Sequence, residues 1–178
     1  MSACIQGDRR AQNELYKLCY GPLMSVCTRY KSDRDEAAAA LNVGFLKILQ
    51  NLNRYNKKAP FIAWIKRIMI NTMIDDYRKG KKEKLVDHRD FSEPQYDVEG
   101  IDFNQADLQF DADQILELIE ELPTMTKRVF NLYAIDGYSH KEISKMLDMS
   151  DGTSKWHLSN ARKKLKAKLK SRLGIVKE

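Results

Sequence analysis

The stretch that decides the fold runs from Leu122 to Leu169 and reads LPTMTKRVFNLYAIDGYSHKEISKMLDMSDGTSKWHLSNARKKLKAKL. Pro123 suits the first turn of a helix, and apolar residues follow at helical spacing up to a C-cap signal at Asp136-Gly137. The residues of this stripe are Met125, Val129, Leu132 and Tyr133. Ser139 and Glu142 then have the S-x-x-E spacing of a capping box, which predicts a second, short helix.

A third helix is predicted after the turn Asp148-Met149-Ser150, beginning at about Asp151 or Gly152. Its apolar residues recur at about 100° per residue and predict a core face: Leu158, Ala161, Leu165 and Leu169. Trp156 and Asn160 point almost directly away from that face. From Gly152 to Lys177 there are nine lysines and arginines and no acidic residue, so phosphate is the natural counter-charge. The pattern favours a helix-turn-helix that enters a DNA groove over a merely solvated basic helix.

Composition indicates one or two small domains, because 178 residues that are 43% apolar can bury a real but modest core. The net charge of +6 is unevenly divided, since Glu83 to Glu121 is acidic and the segments on either side are basic. This layout predicts two nucleic-acid-facing parts joined by a tether. The chain shows no signal peptide and no membrane span, so we expect a cytoplasmic, nucleoid-associated protein without a membrane partner.

Cysteine and histidine patterns give little support to a metal site. Cys4, Cys19 and Cys27 contain no C-x-x-C pair, so we expect reduced thiols, with Cys19 and Cys27 as small core residues. None of the histidines has a ligand spacing to them, and no metal or other cofactor is expected. An enzyme is also not expected, because no carboxylates, histidines or nucleophiles converge at catalytic spacing and Asp75-Asp76 is better explained as helix-end polarity.

Three amphipathic helices fit the N-terminal half, at about Asp8 to Tyr30, Asp33 to Leu52 and Pro60 to Lys79, and the fold class is therefore predicted to be all-α. The first two carry apolar stripes that we expect in the core: Ala11, Leu15, Leu18, Cys19, Leu23, Val26 and Cys27, then Ala37, Leu41, Phe45, Ile48, Leu49 and Leu52. The third mixes aromatic and apolar residues with basic ones: Phe61, Trp64, Ile65, Ile68, Thr72 and Ile74 with Lys66, Arg67, Arg78 and Lys79.

A polar loop, Asn53 to Ala59, joins the second and third of these helices and carries one aromatic and three basic residues. Such a loop can hold an unstacked base, because single strands are bound by cations along the backbone and by stacking worth about 1–3 kcal/mol per base. An alternative stays open, in which Tyr55 and Phe61 only seal the helix junction. Trp64 on its own is more often a core residue than a contact.

Short motifs occur in a fixed order along nearly the whole chain. Those of the first half are Gly7-Asp8-Arg9-Arg10-Ala11, Leu15-Tyr16, Phe45-Leu46-Lys47-Ile48 and the pattern F-x-x-W-I-x-x-I-x-x-N-x-x-x-D-x-x-R from Phe61 to Arg78. Those of the second are Leu122-Pro123, Arg128-Val129-Phe130, Gly137 to Ile143, Ser150 to Lys155 and Ala161 to Leu165. With these motifs the chain resembles a bacterial extracytoplasmic-function (ECF) sigma factor, the minimal two-domain member of the sigma-70 family of RNA polymerase initiation subunits.

The resemblance implies a division of labour between two helical domains. Residues 1–80 would form sigma domain two, which binds core RNA polymerase and recognises and melts the −10 element, and residues 112–178 would form the helix-turn-helix domain four, which reads the −35 element. Residues 81–111 would be an acidic linker. The implied partners are the β′ coiled coil and β flap of core RNA polymerase, double- and single-stranded promoter DNA, and an anti-sigma factor or other regulatory protein.

The resemblance also assigns roles to individual residues. The −35 groove contacts would be Lys155, Trp156, Ser159 and Asn160. Phosphate contacts would be His140, Lys141, Arg162, Lys163, Lys164 and Lys166. The −10 element would be bound and melted by Tyr55, Asn56, Lys57, Lys58, Phe61, Trp64 and Arg67. Polymerase would be bound by Asp35, Glu36, Asn42, Phe45 and Lys47.

This chain departs from the family pattern in two places. An acidic pair and a Gln-Glu in the second helix are replaced by Ala38-Ala39 and Asn42-Val43, and positions that are often small or basic in the recognition helix are Trp156 and Asn160. Tryptophan can pack on thymine methyls or sugar but cannot contact guanine bidentately as arginine does. We therefore expect an unusual −35 preference, or a factor recruited to DNA by a partner protein.

The main rival from another class is a stand-alone helix-turn-helix regulator, whose N-terminal helices would bind an effector or dimerise. A requirement for core polymerase separates the two functions.

Overall fold

The computed structural model describes residues 1–84 and 112–172, and every regular element among them is helical. The chain divides into two compact units, Met1–His88 and Arg89–Glu178. The predicted all-α fold class is thus confirmed. Most of the predicted acidic linker lies outside the described residues. In the described part of the chain, no helix is both long and apolar enough to cross a membrane.

The first unit consists of one short and three long helices. They are α1 (Ser2–Ile5), α2 (Arg9–Tyr30), α3 (Arg34–Asn51), which continues into a 3-10 turn (Leu52–Arg54), and α4 (Phe61–Lys84). Aspartates cap two of them, because Asp8 Oδ1 accepts from the backbone N–H of Arg10 at 2.8 Å and Asp33 Oδ1 accepts from that of Glu36 at 2.8 Å. The helices α2, α3 and α4 each pack against the other two.

The core of the first unit is made by aliphatic side chains from all three long helices, with Leu23, Leu41, Ile48, Ile65 and Met69 fully buried. The prediction that Cys19 and Cys27 are core residues is confirmed, and burial raises the pKa of the Cys27 thiol to about 11. The prediction for Leu18 is wrong, since its side chain is 75% exposed. Each residue turns a helix by roughly 100°, and this step moves Leu18 away from the face defined by Cys19 and Leu23.

The helices of the first unit are also joined by charge. Lys31, which ends α2, places its Nζ 2.7 Å from Asp76 Oδ2 on α4 and 3.3 Å from Glu36 Oε2 on α3. The hydrogen bond that Lys31 donates to Asp76 raises the pKa of Lys31, and the bond to Glu36 makes a smaller contribution. The ammonium group therefore links three helices at one end of the unit.

The second unit contains α5 (Ala112–Glu120), α6 (Thr124–Phe130), a π-helical turn (Asn131–Ile135), α7 (His140–Leu147) and α8 (Asp151–Arg172). The predicted capping box is confirmed, because Ser139 Oγ accepts from Glu142 N–H at 3.3 Å and Ser139 N–H donates to Glu142 Oε2 at 2.9 Å. Asp148 ends α7 in the left-handed region (φ 55°, ψ 60°). The predicted start of α8 at Asp151 is also confirmed.

The core of the second unit includes the predicted stripe of α8. Leu158, Ala161 and Leu165 are buried, and Leu169 packs at the edge of the cluster. Their partners include Leu118, Ile119 and Leu122. The sequence patterns described above do not predict α5. Lys127 on α6 is buried and donates to Glu120 Oε2 at 2.8 Å, which ties α5 to α6.

The prediction for Tyr133 is wrong, because its side chain is 36% exposed rather than buried in the stripe of Val129 and Leu132. The cause is the π-helical turn, in which Asp136 N–H donates to Asn131 C=O, five residues back, at 2.9 Å. This wider turn changes the 3.6-residue periodicity. It leaves the tyrosine ring at the surface, whereas Asn131, one turn after the buried Lys127, is fully buried.

Candidate nucleic-acid interface

The four predicted −35 contacts form one stripe on α8. Lys155 is exposed, and Trp156, Ser159 and Asn160 are half-buried. Trp156 and Asn160 lie on the side of the helix opposite the buried core stripe, and Lys155 and Ser159 lie on the flank beside it. Trp156 is less outward than the helical wheel predicts, since its ring lies edge-on against the neighbouring His157 with centroids 4.9 Å apart. The stripe combines one cation, one aromatic ring and two small polar groups.

Basic residues surround this stripe. Lys141, Lys163, Lys164 and Lys166 are exposed, and Arg162 is half-buried. Asp151 is the acidic residue in the first turn of α8. A surface of this charge attracts phosphate without regard to base sequence.

His140 has contacts that the sequence does not predict. Its Nδ1 lies 2.9 Å from Ser154 Oγ, and its ring stacks on Tyr133 with centroids 4.5 Å apart and planes inclined by 21°. Burial lowers the pKa of His140, and the positive charges of Lys155 and Arg162 lower it further. An uncharged imidazole attracts phosphate less than a cation does, and its role as a phosphate contact stays a prediction.

A second histidine is buried between α6 and α8, where His157 Nδ1 lies 3.0 Å from Thr126 Oγ1. Burial lowers the pKa of His157 as well. Sequence reasoning missed this pair and the buried Ser154. The available signal was their register, because Ser154 precedes Leu158 by four residues and His157 precedes Ala161 by four, so both fall on the predicted core face.

In the first unit, three predicted −10 residues form an aromatic cluster at the start of α4. The ring centroids of Tyr55 and Phe61 are 5.3 Å apart, those of Tyr55 and Trp64 are 5.2 Å apart, and those of Phe61 and Trp64 are 5.9 Å apart. Tyr55 Oη donates to Ala59 C=O at 2.8 Å. All three rings are half-buried, so the cluster both closes the helix junction and presents ring surface to solvent.

The remaining predicted −10 residues are exposed: Asn56, Lys57, Lys58 and Arg67. Asn56 Oδ1 accepts from Lys58 N–H at 3.1 Å, and Lys57 between them has a positive φ of 59°. The side-chain hydrogen bond stabilises a tight loop that projects beyond the ring cluster.

The predicted polymerase contacts lie on α3 in different settings. Asp35 is exposed, Glu36 pairs with Lys31, Lys47 Nζ lies 3.4 Å from Asp75 Oδ2, and Asn42 Oδ1 accepts from Tyr16 Oη at 3.0 Å. Phe45 stays a predicted contact, although its ring is only 7% exposed and packs edge-on against Tyr16 with centroids 5.0 Å apart. The large apolar side chains that α3 exposes are Val43 and Leu46, which are not among the predicted contacts.

One open cleft of about 240 Å³ lies beside this face of α3. It is lined by Lys31, Glu36, Ala39, Ala40, Val43, Thr72, Met73 and Asp76. Within residues 1–84 and 112–172, no three His, Cys, Asp or Glu side chains gather closely enough to hold a metal ion.

The two units match two parts of one protein family. Residues 15–83 match the family described as Sigma-70 region 2, and residues 112–165 match Sigma-70, region 4. A helical unit of the first kind followed by a helix-turn-helix unit of the second defines a sigma subunit of RNA polymerase.

Relatives that match over most of the chain are also sigma factors. The ECF RNA polymerase sigma-E factor of Haemophilus influenzae is 24% identical over 172 residues, covering 92% of this chain and 90% of that protein. The ECF RNA polymerase sigma factor SigW of Bacillus subtilis is 24% identical over 172 residues, covering 93% and 92%. The sigma factor RpoE of Bartonella quintana, solved with the anti-sigma factor NepR, shares the fold with a TM-score of 0.52 at 18% identity, covering 89% of this chain and 96% of that one.

The chain belongs to the extracytoplasmic-function group of the sigma-70 family. It binds core RNA polymerase and directs promoter-specific transcription initiation.

Proposed function

We propose that domain two, residues 1–80, recognises and melts the −10 element, and that domain four, residues 112–178, reads the −35 element through α8, with residues 81–111 as the linker. The observation that carries the proposal is the stripe of α8 that faces away from the core and is surrounded by lysines. We assign base contacts to Lys155, Trp156, Ser159 and Asn160. Phosphate attraction falls to Lys141, Arg162, Lys163, Lys164 and Lys166.

For the −10 element, the proposal rests on the ring cluster of Tyr55, Phe61 and Trp64 and the exposed loop beside it. A displaced base can stack on exposed ring surface while nearby cations neutralise its backbone. Asn56 supplies an amide that hydrogen-bonds to base edges, and Lys57, Lys58 and Arg67 supply the charge. The same rings also seal the helix junction, so the two roles considered from the sequence are compatible in this geometry.

For polymerase, we place the β′ coiled coil on the exposed face of α3 and the β flap on domain four. The face of α3 combines Asp35, Glu36, Asn42 and Lys47 with the apolar Val43 and Leu46. The Bartonella relative was solved with an anti-sigma factor, and we propose a protein of that kind as a further partner. The chain would act in the nucleoid and would carry no catalytic step of its own.

Initiation in the presence and absence of this chain tests the function directly. Core RNA polymerase mixed with the chain is expected to start transcripts at a defined set of sites on chromosomal DNA, because promoter choice comes from the sigma subunit. The isolated chain is expected to bind promoter DNA only weakly. Sequencing of transcript 5′ ends measures the start sites, and a gel-shift assay without polymerase measures the DNA binding. The same start sites with core enzyme alone would refute the function, and tight DNA binding without polymerase would favour the stand-alone regulator.

Asn56→Ala is expected to lower permanganate-detected melting at −10 while closed-complex formation is retained, because the loop acts on the displaced strand and not on duplex DNA. Tyr55→Ala is expected to act in the same direction, since it removes a stacking surface. Tyr55→Phe keeps the ring and loses only the hydrogen bond to Ala59, so it should retain most of the melting. Asn13→Ala, an exposed asparagine on α2, is the matched control. Unchanged melting in Asn56→Ala and Tyr55→Ala would leave the loop with a structural role alone.

A further inference from the structure

Two histidines attach α8 to α6 and α7. His140, the first residue of α7, reaches Ser154 across 14 positions of sequence with an Nδ1 to Oγ distance of 2.9 Å. His157, on α8 itself, reaches Thr126 on α6 across 31 positions with an Nδ1 to Oγ1 distance of 3.0 Å. Each imidazole therefore makes a side-chain hydrogen bond to a hydroxyl group on a different helix.

The two attachment points on α8 enclose two of the proposed groove contacts. Ser154 comes directly before Lys155, and His157 comes directly after Trp156. The hydroxyl of Ser154 is fully buried and His157 is 6% exposed, so neither point can move without disturbing packed core. A rotation of the first turns of α8 about its axis would break at least one bond and redirect both groove contacts.

The stack of His140 on Tyr133 extends this support to the π-helical turn. The ring planes are nearly parallel, and Tyr133 is held at the surface by the wide turn that begins at Asn131. His140 thus contacts the element before α7 as well as α8. The exposed ring of Tyr133 thus supports His140 by stacking on it.

The surroundings of each imidazole disfavour its protonated form. His140 faces Lys155 and Arg162 on α8, with Asp151 as the opposing acidic group, and burial is the main effect that lowers its pKa. His157 is enclosed, and burial alone lowers its pKa. A neutral imidazole has one N–H donor and one lone-pair acceptor, and a hydroxyl group can serve either. Both hydrogen bonds can therefore form at neutral pH without burying charge.

We infer that His140 and His157 are positioning residues that fix the rotation of α8 and so determine which bases Lys155 and Trp156 meet. This inference rests on the proposed −35 role of α8. It replaces a direct phosphate contact for His140 with an action through Ser154. We refer to the two bonded pairs, His140 with Ser154 and His157 with Thr126, as the histidine clamp.

The first test uses the full chain with core polymerase and a promoter library randomised at the −35 element. His140→Ala and Ser154→Ala are each expected to reduce discrimination among −35 bases by about tenfold, the size of one good base contact. His140→Asn should restore much of it, because its amide places a polar atom near the position of Nδ1. Ser154→Ala removes a single oxygen and keeps the test valid if His140→Ala does not fold.

Salt dependence separates positioning from phosphate contact. Lys141→Ala, next in sequence and exposed, should weaken all promoters alike and reduce the salt slope by about one unit. His140→Ala should leave the slope unchanged. A flattened slope with an unchanged −35 preference in His140→Ala would overturn the inference and restore the phosphate contact.

A spectroscopic measurement on the free full-length chain tests the clamp without DNA. Imidazole ¹⁵N spectra should show His140 and His157 titrating below the ordinary histidine range, with Ser154→Ala moving the signals of His140 and Thr126→Val moving those of His157. Signals that do not respond to loss of their partner would overturn the clamp. A Trp156→Ala variant with an altered −35 preference, beside Ser154→Ala and Thr126→Val variants with the wild-type preference, would refute the clamp alone. If Trp156→Ala also keeps the wild-type preference, the proposed −35 role of α8 is refuted as well.

Discussion

Trp156→Ala is expected to change which −35 bases the polymerase selects, at a cost of about 1–3 kcal/mol at the affected positions. The indole lies on the outward stripe of α8, is half-buried, and meets the ring of His157 edge-on. An ordered ring can pack against thymine methyls, which distinguishes thymine from the other bases. Trp156→Phe keeps an apolar ring and should preserve part of the preference.

Lys163→Ala is the matched comparison on the same helix. Lys163 is exposed and offers a point charge, so its loss should weaken all sequences alike and reduce the salt slope by about one unit. Selection from a promoter library and binding across a salt series measure the two effects. A Trp156→Ala variant that keeps the wild-type −35 preference would refute the assignment and would favour recruitment by a partner protein.

Leu23→Ala should destabilise the first unit by about 2–5 kcal/mol, because it leaves a cavity among fully buried side chains. Leu18→Ala, on the same helix, should change the free energy of unfolding by less than about 0.5 kcal/mol, because its side chain is 75% exposed. The helical pattern of the sequence treats the two leucines alike, and the structure separates them.

Tryptophan fluorescence gives a clean measurement of this pair. The chain has two tryptophans, Trp64 in the first unit and Trp156 in the second, so a Trp156→Phe background leaves one reporter in the first unit. Urea unfolding of Leu23→Ala and Leu18→Ala in that background compares the two sites directly. Equal losses of stability would contradict the packing of α2 described above.

Helix positions and the domain order could be predicted because they depend on local signals. The capping box at Ser139, the start of α8 at Asp151 and the core stripe of Leu158, Ala161 and Leu165 all follow from periodicity and cap chemistry. The errors at Leu18 and Tyr133 have another origin. For Leu18, periodicity predicts an apolar face of the helix but not the centre of that face, which depends on where α3 and α4 pack. For Tyr133, a π-helical turn alters the period, and no distinctive residue type marks such a turn.

The candidate site was predictable in part for the same reason. The outward stripe of α8 follows from the helical wheel, whereas the partners of His140 and His157 lie on other helices and depend on tertiary packing. Phe45 has a partner of the same kind, because its ring packs against Tyr16, which the sequence alone does not place beside it.

The left-handed residue at the end of α7 bears on how readily the turn before α8 opens. Asp148 occupies a region where a non-glycine residue costs about 1–2 kcal/mol, although aspartate tolerates it better than most. A glycine at position 148 would relieve this cost. We therefore expect the turn before α8 to open several times more often with aspartate than with glycine. Proteases that cleave a transiently opened chain act in proportion to the open population. Asp148→Gly is therefore expected to slow proteolytic cleavage at this turn.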